Sequence, residues 1–432
     1  MSPMKSILLL FTLGVLLAGC TGLPFQATPT VPHTPTPTIA SSPSPAATVP
    51  PTQAPQSSGP VVLTVWVPPQ LDPDSGTLAG ELLKQRLQAF TERMPDIKIE
   101  VRVKAEEGPG GLYDSLATAS AAAPDARPDL LALPQHTLQA SALKGLLQPF
   151  DGLTIAMSDP DWYEFARQLA TLQSIQFGIP FAGDALLLAY RPSVVESPAT
   201  DWASLLETEA PLMFAAADPQ ALFTLSQYQA AGGTTSDDQG RPVLDGGPLT
   251  KVLDYYATAN QAGVLPGWLV ELQDSQQTWQ ALQEGRAGQE IAWASQYLAA
   301  PKDDLSATPL PTPDGEPLTL ATGWVWALGD PHSPHNEMTT RLAEFLTESS
   351  FLASWTRELG YLPSRPSALE AWGDPDMQAR LGPVALSARL SPPLDILTNL
   401  GPRLQQAVLQ VLSGQADPAT AAQAATEGLG QP

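Results

Sequence analysis

The chain has a single cysteine, Cys20, in 432 residues. A body without a second cysteine has no internal disulfide and is held together by packing alone. Cationic side chains are scarce too, with 21 Lys and Arg against 44 Asp and Glu and no stretch that gathers them. No patch is available to neutralise a phosphate backbone, so nucleic acid is not expected as a partner. The most apolar run, "ILLLFTLGVLL" at residues 7–17, is too short to span a bilayer as a helix. No GxSxG elbow, HExxH, P-loop or GxGxxG occurs, which leaves nucleophilic, zinc and nucleotide chemistry without a signature. No enzymatic activity, cofactor or metal is expected.

What is present begins with an export signal over residues 1–20: Lys5, the apolar run, then the small Ala18 and Gly19. Its end, "LAGC", resembles the lipobox of bacterial lipoproteins, which implies lipidation of Cys20 and cleavage ahead of it. Residues 21–60 hold 11 Pro, 8 Thr and 5 Ser and no charge. Such a stretch buries too little apolar surface to fold and favours extended polyproline II. It reads as a tether reaching on the order of 100 Å at ~3.1 Å per residue.

From residue 61 strands and helices alternate over a length that calls for two compact units. "VVLTVWV" (61–67) is almost continuously apolar, as a strand covered on both faces should be. A helix with Leu83, Leu87, Phe90 and Met94 on one stripe follows, then the alternating strand Ile97 to Lys104. That unit implies a parallel pair with a right-handed crossover. Further strands are expected at 129–133, 185–190, 212–217, 289–294 and 323–328. Helices are expected over Asp161–Gln173, Gln220–Ala231, Leu249–Ala262 and most of the last hundred residues.

The three "DPD" triplets at Asp72, Asp159 and Asp374 offer paired carboxylates but read more simply as helix N-caps followed by proline. His332 and His335 have a spacing a metal accepts, yet Pro331 and Pro334 make their stretch a solvated loop. "GGTTSDDQGRPVLDGG" (232–247) lacks calcium-loop spacing and reads as a polar turn. The aromatics off the helix stripes are more telling: Trp66, Trp293, Trp324 and Trp326 lie on strands, and Tyr361 follows a glycine. Near strand ends of an α/β sheet they suit stacking on sugar rings. Trp324 and Trp326, two apart, share a strand face.

The order of segments resembles the family 1 extracellular solute-binding proteins of ABC importers, the group that includes maltose-binding protein. The likeness is carried by "LLKQRLQAFTERMPDIKIEV", "LYDSLATASAAAPDARPDLLAL", "LKGLLQPF", "FGIPFAGDALLLAYRPSV", "PATDWASLL", "LQEGRAGQEIAWAS" and "TGWVWALGDPHSPHNEMTTRLAEFLTESSFLASWTRELGYLPSR". Two positions depart from the pattern: Tyr190-Arg191 stands for Tyr-Asn, and Gly288-Gln289 for Ala-Met on the strand that carries Trp293. The second departure leads us to expect a reshaped pocket.

The resemblance implies an α/β, two-lobed periplasmic-binding-protein-like fold of type II, each lobe a mainly parallel sheet flanked by helices. Lobe I would comprise 61–183 and 322–352, and lobe II 184–321 and 353–430, with crossings near 180–187, 318–324 and 352–362. It implies a monomer, lipid-anchored at the extracytoplasmic face of the cell membrane, delivering a neutral sugar or oligosaccharide to ABC permease subunits. By position in these motifs Asp184 would take sugar hydroxyls. Trp66, Gln135, Trp293, Trp324 and Tyr361 would complete the ligand site, with Trp324 on the ligand and Trp326 in the core. An exported glycosidase and a transporter-less sensor or adhesin remain as alternatives.

Overall fold

The computed structural model describes residues 59–429, so the export signal, Cys20 and nearly all of the Pro-rich stretch lie outside the described residues. The body opens on β1 (Val61–Val67), and the helix Leu78–Arg93 carries the chain to β2 (Ile97–Val103), parallel to β1. Thr77 caps that helix by accepting from Gly80 N at 3.1 Å, and its Leu83, Leu87 and Phe90 are buried. A second crossover, through the helix Leu112–Ala122, leads to β3 (Leu130–Pro134), parallel to β1 on its other side. The expected strand-helix-strand unit is therefore present.

β4 (Ile179–Tyr190) is the long crossing strand. Beyond it lie β5 (Leu212–Met213), β6 (Gln289–Trp293) and β7 (Ser306–Thr308). β8 (Thr319–Leu328) returns, followed by β9 (Leu362–Pro363) and β10 (Ala388–Leu390). The sheet order is β2-β1-β3-β8-β4-β6-β5, with β9 and β7 on β4 and β10 on β8. The first half of β4 pairs with β8, and its second half, from Leu186, pairs with β6 and β7. β4 thus belongs to both lobes and changes partners around Asp184. β4 and β8 carry the chain in opposite directions between lobes, so they pair antiparallel with each other and with their β3 and β6 neighbours. The parallel pairs are β1–β2, β1–β3, β5–β6 and β8–β10.

At the crossing, Gly183 pairs with Gly323. A Cβ at Gly183 would sit 2.3 Å from the fully buried Phe165 ring, and one at Gly323 would sit 2.6 Å from Ala182 O. Gly183→Ala is expected to cost about 1–3 kcal/mol of unfolding free energy through this overlap. A denaturant midpoint unchanged from the parent would show that Phe165 yields instead.

Three local expectations differ. The helix expected over 161–173 stops at Ala170, because Gln173 and Ser174 adopt left-handed φ of 51° and 66° and close a tight hairpin, Thr171–Leu172 on Ile175–Gln176. Positive φ at both turn residues is the geometry tight hairpins favour, reached here without glycine. The strand expected at 212–217 is paired only over Leu212–Met213. Of the three Asp-Pro sites, only Asp374 caps a helix, accepting from Met377 N at 3.1 Å. Asp72 and Asp159 instead accept from the backbone two residues on, at 2.8 and 3.0 Å, in local turns.

The third passage between lobes lies later than the boundary at 353. The helix Ser349–Leu359 packs on Leu78–Arg93 in the first lobe, and Ser367 still bonds Asp161 there. Trp355 on that helix stacks against Trp326, and this aromatic packing holds the helix to lobe I. The helix Leu394–Leu412 then packs on Gly246–Gln261 in the second lobe.

Candidate functional site

Where β3 ends, the helix Gln135–Leu143 begins, and where β6 ends, the helix Ala294–Ala299 begins. These two strand ends face one another across a cavity of about 220 Å³. Its first-lobe wall includes Glu107, Gln135 and His136, and its second-lobe wall Gln220, Leu222 and Trp293. The segment after β10 closes one side with Ser391. Gln135 is nearly buried and donates to Ser391 O at 2.7 Å, tying the two sides of the wall together. His136 Nε2 lies 3.1 Å from Glu107 Oε1. A second hollow of about 180 Å³ continues into the second lobe, sharing Gln220, Leu222 and Trp293 with the first. The half-buried Trp293 indole thus lines both spaces.

Beside this cavity, Asp184 sits at the point where β4 changes partners, paired with Thr322 of β8. Its Oδ1 accepts from Ser295 N at 2.9 Å and its Oδ2 from Ser295 Oγ at 2.5 Å. Burial outweighs those bonds and pushes the Asp184 carboxyl up to about 7. Tyr361 lies close by, its phenol held above the ordinary value by burial and by the Asp184 and Glu106 carboxylates, with Trp324 as its hydrogen-bonding neighbour. Because directly paired residues project to one side of a sheet, Asp184, Thr322 and Trp324 share a face.

Of the six residues expected at the ligand, Gln135 and Trp293 line the cavity, and Asp184, Trp324 and Tyr361 cluster at the adjoining crossing. Trp66 does not join them. It is 3 % exposed on the opposite face of the sheet, packed with Leu112, Leu131 and Val325 under the Lys104 ammonium. Position 66 falls on the alternation that faces the helix Leu112–Ala122 rather than the cleft. Trp326 is fully buried against Phe181 and Trp355, whereas Trp324 is 8 % exposed.

The two departures take up structural places. Arg191 pairs with Asp304 at 2.9 Å, and fully buried Gln289 donates to Ala210 O at 2.8 Å, so Gln289 braces the lobe interior and does not itself line the cavity. Residues 232–247 form the polar turn expected, with Asp237 bonded to Arg241 and Asp245 accepting from Thr234 and Tyr228. Sequence reading missed Gln220 and Ser391. The signal at the first was weak: Ala221 beside it has a left-handed φ of 49°, a strain that composition does not announce.

Two α/β lobes joined by crossing strands, with a polar and aromatic cavity at the joint, define a two-lobed periplasmic-binding-protein-like molecule. Residues 85–380 match the family described as bacterial extracellular solute-binding protein, and the chain belongs to that family. Among solved structures it resembles the cyclic α-maltosyl-1,6-maltose binding protein of Arthrobacter globiformis, at 19 % identity and a TM-score of 0.69, covering 85 % of this chain and 98 % of that one. The sugar-binding protein MalE of Xanthomonas citri gives 18 % identity and a TM-score of 0.70, over 85 % and 96 % of the two chains. An ABC transporter solute-binding protein of Thermotoga lettingae, bound with α-D-tagatose, gives 22 % identity and 0.60, over 85 % and 98 %. No curated protein sequence matches the chain.

Proposed function

We propose that this solute-binding protein captures a carbohydrate in the cavity between its lobes and delivers it to an ABC importer. The observation that carries the reading is Trp293, a half-buried indole at the joint of the lobes, flanked by Gln135 and Gln220. An apolar ring face beside amide donors and acceptors matches a sugar, which presents C–H faces and hydroxyl edges. Asp184, Trp324 and Tyr361 at the crossing add a carboxyl poised near neutrality, an indole and a phenol. Maltose-type and tagatose ligands of the structural neighbours point the same way.

A ligand touching both walls contacts the second lobe fully only when the cleft is closed, so binding shifts the hinge toward closure. The closed form then docks on permease subunits. Lipidation of Cys20 would hold a monomeric body at the extracytoplasmic membrane face, with residues 21–60 as tether. Replacing Cys20 by serine should then release the protein from the membrane fraction; retention there would rule out the anchor.

A thermal-shift screen of mono- and oligosaccharides tests the ligand. The cognate sugar at about a hundredfold over its Kd stabilises by about 2.7 kcal/mol through mass action. Trp293→Ala is expected to weaken that sugar by about 0.5–1.5 kcal/mol, a few-fold to tenfold in Kd. No shift with any sugar, or turnover of an oligosaccharide in place of stoichiometric binding, overturns this reading.

A further inference from the structure

We infer that Asp184 is a clasp across the joint of the lobes, a positioning residue that sets affinity by holding the turn that carries Trp293 and not by taking sugar hydroxyls itself. The clasp stands on geometry, while its effect on a sugar rests on the carbohydrate reading. Asp184 is still paired with Thr322 of β8, just before β4 takes up β6 at Leu186. Ser295 follows β6 in the second lobe, and both of its donors reach back to Asp184, the backbone N at 2.9 Å and the hydroxyl at 2.5 Å. Two hydrogen bonds therefore span the point where the crossing strand changes partners.

The segment so held is the one that presents the indole. Trp293 ends β6 and directly precedes the helix Ala294–Ala299. Its N–H donates to Gln296 Oε1 at 2.9 Å, and Gln296 Nε2 donates to Ser275 O at 3.2 Å. Those bonds tie the turn to its own lobe, and the Asp184 pair ties it to the crossing strand. A binding side chain keeps its place when the groups behind it are locked in this way. Asp184 itself is in the wall of neither hollow at the joint, whereas Trp293 is in the wall of both.

The strength of the clasp depends on charge, because an ionised carboxylate accepts hydrogen bonds more strongly than a protonated one. Burial lifts the Asp184 carboxyl to about 7, against the Ser295 bonds and the Ala185 and Ala294 N–H groups that favour the ionised form. Its surroundings leave that balance to burial. Thr322 of β8, Leu362 of β9 beside Gly183, and Ala294 and Ser295 carry no charge, and the titratable neighbour is the Tyr361 phenol, itself raised by burial and by Asp184. The helices packed on β4 turn their cations elsewhere: Arg167 to Met157 O, Arg357 to Trp372 O and Arg380 to the Tyr297 hydroxyl.

The test is a double-mutant cycle on the full chain: parent, Asp184→Asn, Ser295→Ala and the two together. Each is titrated by calorimetry with maltose, maltotetraose and tagatose between about pH 6 and 8, and amide exchange at Ser295 is followed without sugar. Asp184→Asn should weaken the sugar that binds by about tenfold and Ser295→Ala by about threefold. The double variant should lose no more than Asp184→Asn alone, since both changes act through one contact. Ser295→Thr, which keeps the hydroxyl, should keep the parent affinity. Parent affinity should fall as pH drops through 7, and asparagine should remove that fall, whereas any contribution from His136 beside Glu107 would persist in the variant. Affinity lost in Asp184→Asn but untouched in Ser295→Ala means that Asp184 meets the sugar directly, which overturns the clasp and leaves the carbohydrate reading standing. Additive losses, or equal pH profiles in parent and Asp184→Asn, overturn it too. If no sugar binds, the carbohydrate reading fails and amide exchange decides: faster exchange at Ser295 in Asp184→Asn leaves the clasp standing, and unchanged exchange overturns it.

Discussion

Trp326→Ala should lower the unfolding free energy by about 3–5 kcal/mol, among the largest single-residue losses available in this body. The ring is fully buried, 5.0 Å from Phe181 and stacked 6.2 Å from Trp355, which in turn lies 5.2 Å from Phe351. These rings join β8 and β4 to the helix Ser349–Leu359, so the cavity left by truncation opens where three elements meet. Trp326→Phe separates the contributions, because the indole N–H has no partner in the structure and its removal has no hydrogen-bond cost. We expect phenylalanine to lose less than half of what alanine loses. Trp324→Ala, at the position the sequence placed on the ligand, should also cost stability, since that ring is only 8 % exposed and packs within 6.5 Å of Phe181. Chemical denaturation of the three variants checks the order, and equal stability of Trp326→Ala and the parent would overturn the core assignment.

Period and composition made these elements legible. β1 reads as a buried strand because nearly every residue is apolar, and Leu83, Leu87 and Phe90 read as a helix face because their spacing follows the helical turn. Trp324 and Trp326 were placed on one face by alternation alone, and they are. What alternation does not encode is which of the two faces meets the cleft. Trp66 looks as suitable as Trp293 in one dimension, and only the packing of the helix Leu112–Ala122 turns it away. Asp184 was legible as a crossing residue, but the two hydrogen bonds it accepts from Ser295 were not, since the two are joined by a strand exchange across more than a hundred residues. Ser391 and Gln220 enter the cavity from segments with no periodic signal. The structure-forming residues were therefore easier to read than the ligand wall, whose members come from strand ends, helix starts and loops of both lobes.

Glu290→Gln should raise the stability of the protein at neutral pH by about 3 kcal/mol and flatten its decline with rising pH. Glu290 stands on β6 between the cavity-lining Ile291 and the bracing Gln289, but its own side chain points to the helix Ser275–Gln283. It is fully buried and neither carboxyl oxygen has a hydrogen-bond partner, the Thr278 hydroxyl nearby donating instead to Ser275 O at 3.0 Å. Burial therefore pushes the carboxyl from 4.5 up to about 9, and it is neutral in the folded chain at pH 7. The unfolded chain has released this proton by then, so between the two values the folded state holds one proton more. Stability falls by about 1.4 kcal/mol per pH unit across that window from this group alone. Glutamine fills the same space without a proton to lose, so the difference between variant and parent should be small near pH 5, grow through pH 7 and level off above pH 9. Urea midpoints of the two proteins across that range read the difference directly. Parallel curves would mean that the carboxyl is ionised in the folded chain at neutral pH, and that water or a ligand-side group reaches β6 from the cavity.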